Sequence, residues 1–190
     1  MREDLDQADD ATLVRAALAG DEQAYRALMA RHRETVYRIA RAQTGQAEAA
    51  RDVTQEAFIA AFAALRRYDP ARPLRLWLAR IALNKGRDWR RRQAVRRFLL
   101  GWRGDAAGLD DPVDPAPSPE RTALARADLA RTAQAIAALP GPLREAIVLH
   151  AVEGMPQRDM AALLEVSEKT IETRIYRARK KLARMLENED

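Results

Sequence analysis

The chain contains no cysteine, which excludes disulfides, thiolate-held metals and a thiol redox switch. Its two histidines, His32 and His150, stand far apart, and neither has a nucleophile or metal-ligand motif beside it. No glycine-rich phosphate loop is present. No catalytic residue, metal or cofactor is therefore expected. No apolar run approaches the roughly 18 residues needed to span a bilayer. The opening residues, MREDLDQADD, are acidic where an export signal would be basic and then apolar. A cytoplasmic protein without membrane insertion is expected. Strand-like alternation rich in β-branched residues is also missing, so the fold class is expected to be all-α.

What the chain does have is charge and helical periodicity. Its 190 residues, 47% hydrophobic and 32% charged, can enclose one or two small cores. The net charge of +5 comes mainly from arginine, which suits recognition of phosphates and nucleic-acid grooves without requiring it. The chain divides near its middle. Residues 101–119, GWRGDAAGLDDPVDPAPSP, concentrate glycine, proline and aspartate and lose helical periodicity, as a flexible, extended acidic linker would. Two small helical domains, 1–100 and 120–190, are expected to flank it.

Residues 157–184, QRDMAALLEVSEKTIETRIYRARKKLAR, read as a short amphipathic helix, a tight turn and a longer helix capped by Ser167 and ending densely basic. Met160, Leu163 and Leu164 form one apolar stripe, and Ile171, Ile175 and Leu182 form the next. Lys169, Glu172, Thr173, Tyr176 and Arg177 are left facing away from the core. This is how a helix-turn-helix reader of duplex DNA is built, its second helix entering the major groove N-terminus first. The alternative for this segment alone is a helical hairpin with a solvated charged face.

In the N-terminal half, Asp10 or Thr12 can start a helix ending at Gly20, and Asp21 can cap a second with the stripe Ala24, Leu28, His32, Val36 and Ile39. A third helix is predicted from about Ala47 to Arg67, burying Val53, Ala57, Phe58, Ala61, Phe62 and Leu65. A break follows at Tyr68, Asp69 and Pro70. The fourth begins near Pro73 and points Leu74, Trp77, Leu78, Ile81 and Ala82 inward, then turns into GRDWRRRQAVRR. Arg80, Lys85, Arg87, Arg90, Arg91, Arg92, Arg96 and Arg97 line it with cations, beside Trp77, Asn84 and Trp89. Aromatic stacking contributes about 1–3 kcal/mol per unpaired base, so cations mixed with tryptophan suit single-stranded nucleic acid better than closed duplex. Trp77 has core spacing, Trp89 fits either side, and Asn84 has little structural reason to sit mid-helix.

The blocks ARDVTQEAFIAAFAALRRYD, LRLWLARIALNKGRDWRRR and ALPGPLREAIVLHAVEGMPQRDMAALLEVSEKTIETRIYRARKKL, in this order around a proline-rich linker, resemble a bacterial RNA polymerase sigma factor. The resemblance is to the extracytoplasmic-function group of the sigma-70 family, with only its second and fourth regions, and it covers nearly the whole chain. It implies that Asp52, Gln55, Glu56 and Phe58 contact core RNA polymerase, through the beta-prime clamp helices, while the beta flap meets the C-terminal half. It implies that Arg80, Asn84, Arg87, Asp88 and Arg91 bind the minus-10 element and capture a flipped base. It further implies that Lys169, Glu172, Thr173, Arg174, Tyr176 and Arg177 bind the minus-35 element of promoter DNA, with Arg174, Arg179 and Lys180 nearer phosphates. An anti-sigma factor is the implied regulatory partner. Three departures stand out. Asp88 occupies a position that relatives fill with Asn or Asp, Glu172 replaces a basic residue, and Glu165 sits at a turn position often given to glycine. A repressor or activator binding duplex operator DNA would account for residues 157–184 alone. A sigma mimic that titrates another protein would bind partners without initiating transcription.

Overall fold

The computed structural model describes residues 7–100 and 119–187, and every regular element among them is helical. The predicted linker, apart from Pro119, lies outside the described residues. Helix α1, Asp10–Leu18, is capped by Asp9, one residue before the first predicted start and three before the second, and its carboxylate accepts from the Thr12 amide at 2.7 Å. Hydrogen bonds from Thr12 hold the Asp9 carboxyl below its ordinary pKa. Asp21 caps α2, Glu22–Thr44, accepting from the Gln23 and Ala24 amides. All five residues of the predicted α2 stripe are buried. Gly45 ends the helix at φ 75°, a left-handed conformation that costs glycine nothing.

Helix α3, Ala47–Ala63, stops earlier than periodicity predicted. Its last predicted turn tightens into a 3₁₀ segment, Leu65–Arg67, that still buries Leu65. The break falls where expected. Tyr68 donates its hydroxyl to the Arg72 carbonyl and packs at a tilt of 50° against Trp77 with ring centroids 5.4 Å apart, while Asp69 accepts from the Ala71 amide, which fixes the loop. Helix α4, Leu74–Leu100, buries Leu74, Leu78, Ala79, Ala82 and Leu83, and beyond Lys85 it runs progressively into solvent. Trp77 packs on the core as its spacing predicted, and Trp89 is half-buried against the small cluster of Ala40, Ala50 and Val53. Gly86 lets α2 and α4 cross closely, because a Cβ there would lie 2.5 Å from Gln43 Cγ.

The C-terminal half comprises α5, Pro119–Ala138, α6, Gly141–Ile147, a π-helical stretch Val148–Val152, α7, Gln157–Leu164, and α8, Glu168–Glu187. Pro119 and Pro142 stand in first turns, where a missing N–H is harmless. Leu139, Ile147, Val148, Leu149, Met155, Met160, Ile171 and Ile175 form its interior. These residues belong to one continuous apolar cluster with Leu13, Leu28, Ile39, Leu65 and Leu83 of the N-terminal half. The two halves are thus packed together, with α4 on α7 and α2 on α5, α6 and the π stretch.

Candidate nucleic-acid and polymerase interfaces

Three surfaces hold the predicted site residues. The first is on α8. Ser167 caps it, accepting from the Thr170 amide at 3.2 Å, and Ile171, Ile175 and Ala178 anchor one side in the core. Lys169, Glu172, Tyr176 and Arg177 are exposed on the other side, as predicted, while Thr173 and Arg174 are half-buried. Lys169 donates to Glu172 at 2.8 Å, and the Thr173 hydroxyl donates to the Lys169 carbonyl at 2.9 Å. The acidic departure at Glu172 is therefore partly neutralised by its own helix. Farther along, Arg177, Lys180, Lys181, Arg184 and Met185 line an open, basic hollow of ≈ 370 Å³. The turn from α7 into α8 passes through Glu165 at φ 55°, the single non-glycine residue with positive φ among those described.

The second surface is a strip along α4. Arg80, Asn84, Arg87, Asp88 and Arg91 recur at helical spacing and share one side. They do not share one environment. Arg80 donates to the Glu165 carboxylate at 2.9 Å and to the Ala162 and Leu163 carbonyls at 3.1 and 3.0 Å, all in the helix-turn-helix. Arg87 grips both Glu145 oxygens at 2.6 Å, which raises the Arg87 pKa, and also donates to Asn84 Oδ1 at 3.2 Å. Asn84 and Arg91 are exposed and Asp88 is half-buried, with Arg91 donating to Asp88 at 2.7 Å.

The third surface is the outer side of α3. Asp52 and Gln55 are exposed, and Glu56 is half-buried, accepting from Arg92 of α4 at 3.3 Å. Phe58 requires a correction: it is 4% exposed and packs on Phe62 with ring centroids 5.7 Å apart, so it supports this surface from beneath and cannot touch a partner. Ile59, absent from the predicted set, is 61% exposed and lies on the same face as Asp52, Gln55 and Glu56. Its signal in the sequence was its phase, one residue out of step with the buried stripe.

Also unforeseen is the polar seam between the halves. Arg144 is buried, donating to Gln43 Oε1 at 3.1 Å and to the Ala137 and Leu139 carbonyls at 3.0 and 2.8 Å. Burial, aided by nearby Arg90, pulls the Arg144 pKa down to about 10. Arg90 itself donates to the Gln43 and Ala137 carbonyls. Its only sequence trace is an arginine set among Leu143, Ala146 and Ile147. Of the two histidines, His32 is buried, with Nε2 3.0 Å from Asp10, and His150 is half-buried in the π stretch. Among the described residues no cluster suits a metal ion, and no helix is long and apolar enough to cross a membrane.

An all-α chain with a capped helix-turn-helix in its C-terminal half and a basic, tryptophan-bearing helix in its N-terminal half is the class these surfaces define. Comparison narrows it. A family model described as Sigma-70 region 2 matches residues 28–96, and one described as Sigma-70, region 4 matches residues 129–182. RNA polymerase sigma factor CnrH of Cupriavidus metallidurans is 41% identical over 94% of each chain. ECF RNA polymerase sigma factor SigM of Mycobacterium tuberculosis is 35% identical over 93% of this chain and 84% of its own. The solved structure of CnrH in complex with the cytosolic domain of CnrY matches with a TM-score of 0.69 at 36% identity, over 95% of this chain and 99% of that one. The chain belongs to the extracytoplasmic-function group of the sigma-70 family of RNA polymerase sigma factors.

Proposed function

We propose that the chain binds core RNA polymerase and directs promoter-specific initiation, with α8 reading the minus-35 duplex and the α4 strip capturing unpaired minus-10 bases. The observation that carries this reading is the pairing, in one chain, of a capped recognition helix with a second helix on which an exposed Asn84 stands among arginines. On α8, Lys169, Tyr176 and Arg177 present donors to base edges and phosphates in the major groove, with Arg174 and Thr173, whose hydroxyl donates to the Lys169 carbonyl, beside them. Glu172 can accept from cytosine N4, which gives this chain a minus-35 preference different from that of relatives with a basic residue there. On α4, unstacking a base costs a few kcal/mol, which is recovered when Asn84 reads its exposed edge and the arginines hold the flanking phosphates.

Polymerase docks on α3 through Asp52, Gln55, Glu56 and Ile59, where the carboxylates meet basic clamp helices of the beta-prime subunit, and the beta flap engages the C-terminal half. Residues 1–100 and 120–190 act as two units joined by 101–119. Opening uses binding energy alone, so the chain is a regulator and not an enzyme. It acts in the cytoplasm beside polymerase, under the control of an anti-sigma factor. A duplex repressor would leave the α3 face and the α4 strip without a task. Run-off transcription with purified core enzyme on a randomised promoter library tests the reading. Transcripts enriched for two spaced elements are expected, and a yield no higher than core enzyme alone would overturn it.

A further inference from the structure

The face of α4 that carries the minus-10 residues does not end with them. Asn84, Asp88, Arg91, Val95 and Phe98 follow one another at alternating steps of four and three residues, which on a helix makes one ridge. The ridge is polar up to Arg91 and apolar beyond it. Val95 is 51% exposed, Leu99 one turn farther on is 73% exposed, and Phe98, at 87%, is the most exposed large apolar side chain among the described residues. None of the three joins either apolar cluster of the fold. The match to the Sigma-70 region 2 model ends at residue 96, so Phe98 and Leu99 lie past the matched stretch.

The surroundings of this apolar tip say what covers it. From Trp89 to Leu100 the helix carries Arg90, Arg91, Arg92, Arg96 and Arg97 and no acidic residue. A ring and two aliphatic side chains set among cations fit a partner that offers flat apolar faces and negative charge together. Unpaired nucleic acid does so, through its base faces and phosphates, whereas closed duplex hides the base faces in its own stack. Continuity along the helix agrees. Phe98 stands about 21 Å from Asn84 at 1.5 Å per residue, the length of about six stacked base steps at 3.4 Å each. A strand laid along the ridge from Asn84 therefore passes over Phe98.

We propose that Phe98 is a second base-binding residue, whose ring stacks on an unpaired base of the strand that Asn84 reads, while Val95 and Leu99 pack against the adjoining sugars. Stacking accepts any base, because every base has a π face, so this subsite lengthens the life of the opened promoter without choosing its sequence. The inference deepens the reading of α4 given above and rests on it.

The test uses the holoenzyme formed from the full-length chain and core RNA polymerase, on a promoter selected from the randomised library. The non-template strand carries 2-aminopurine at one position at a time across the opened tract, a probe whose fluorescence is quenched by stacking. With the wild-type chain, a position separate from the one that Asn84→Ala disturbs should be quenched. Phe98→Ala should restore fluorescence there and speed dissociation of the open complex by about fivefold or more, the lower end of what a lost base stack gives. Phe98→Trp should keep both the quenching and the lifetime, and Phe98→Leu should keep neither. Because the ring is exposed, Phe98→Ala should leave the urea midpoint and co-elution with core enzyme unchanged. Quenching and lifetime unaltered in Phe98→Ala would overturn the proposal. Full rescue by Phe98→Leu would overturn stacking in favour of a plain apolar contact. Weakened co-elution would give the tip to polymerase instead, and a lowered midpoint would give it to the chain's own core. A wild-type chain that fails to initiate with core enzyme would overturn the sigma reading itself, whereas normal initiation without any Phe98 effect would overturn the second subsite alone.

Discussion

Phe58 and Ile59 are neighbours on α3, and a rotation of about 100° per residue sends one into the core and the other into solvent. Their substitutions should therefore separate stability from function. Phe58→Ala empties a packed site and should cost about 3–5 kcal/mol in a denaturant melt. Ile59→Ala should change stability by no more than about 0.5 kcal/mol while weakening co-elution with core polymerase. A comparable loss of stability from both would mean that α3 sits differently on its neighbours. The DNA-facing residues divide in a similar way. Arg177→Ala should weaken binding to a minus-35 duplex by about 1–3 kcal/mol, as expected for a lost base contact. Thr173→Ala should do less, because its hydroxyl is already committed to the Lys169 carbonyl. Asn84→Ala should leave duplex binding intact and impair opening at the minus-10 element, read by permanganate footprinting. Loss of duplex binding in a folded Asn84→Ala chain would merge the two sites into one.

At the scale of elements, the crossing of α2 and α4 depends on Gly86. Alanine normally gains about 1 kcal/mol over glycine inside a helix. Here its Cβ would press on Gln43 at 2.5–2.6 Å, and overpacking of that kind costs about 1–3 kcal/mol. Gln43 is also the acceptor for Arg144, so it is not free to swing aside. Gly86→Ala should lower the urea midpoint, and an unchanged or higher midpoint would show slack in the crossing. The same contrast between local and distant causes explains what could be read from the sequence. Asp21, Ser167 and the α2 stripe were legible because caps and periodicity act within a few residues. The end of α3 was overrun because Leu65 keeps helical phase even though the chain has already tightened there. The arginines of α4 could be listed from the sequence, but not their acceptors. Glu145 and Glu165 lie 58 and 85 residues away and meet α4 only through the packing of the two halves. Arg144 and Gln43 were invisible for the same reason, since their hydrogen bond spans 101 residues.

For the whole molecule, the sigma reading assigns different partners to faces that are all polar, and charge reversal on α3 separates them. Asp52 and Glu56 are acidic and share one side of the helix, so neither can add to phosphate affinity. In an Asp52→Arg, Glu56→Arg double variant, non-specific DNA binding should hold or rise. The fold should lose little: Asp52 is exposed, and the Glu56–Arg92 pair at 3.3 Å is a half-exposed bridge worth roughly 0–1 kcal/mol. Reversal at Glu56 also sets a second guanidinium beside Arg92, a repulsion that water and salt largely screen. At a protein interface the balance differs, because like charges brought together cost several kcal/mol. The double variant should therefore keep its helical circular dichroism and its minus-35 duplex affinity, yet fail to co-elute with core enzyme or support run-off transcription. A shared loss of duplex affinity would point to unfolding or to coupling between the two halves, and the circular dichroism would distinguish these. Full transcription by the folded double variant would remove α3 from the polymerase-docking surface.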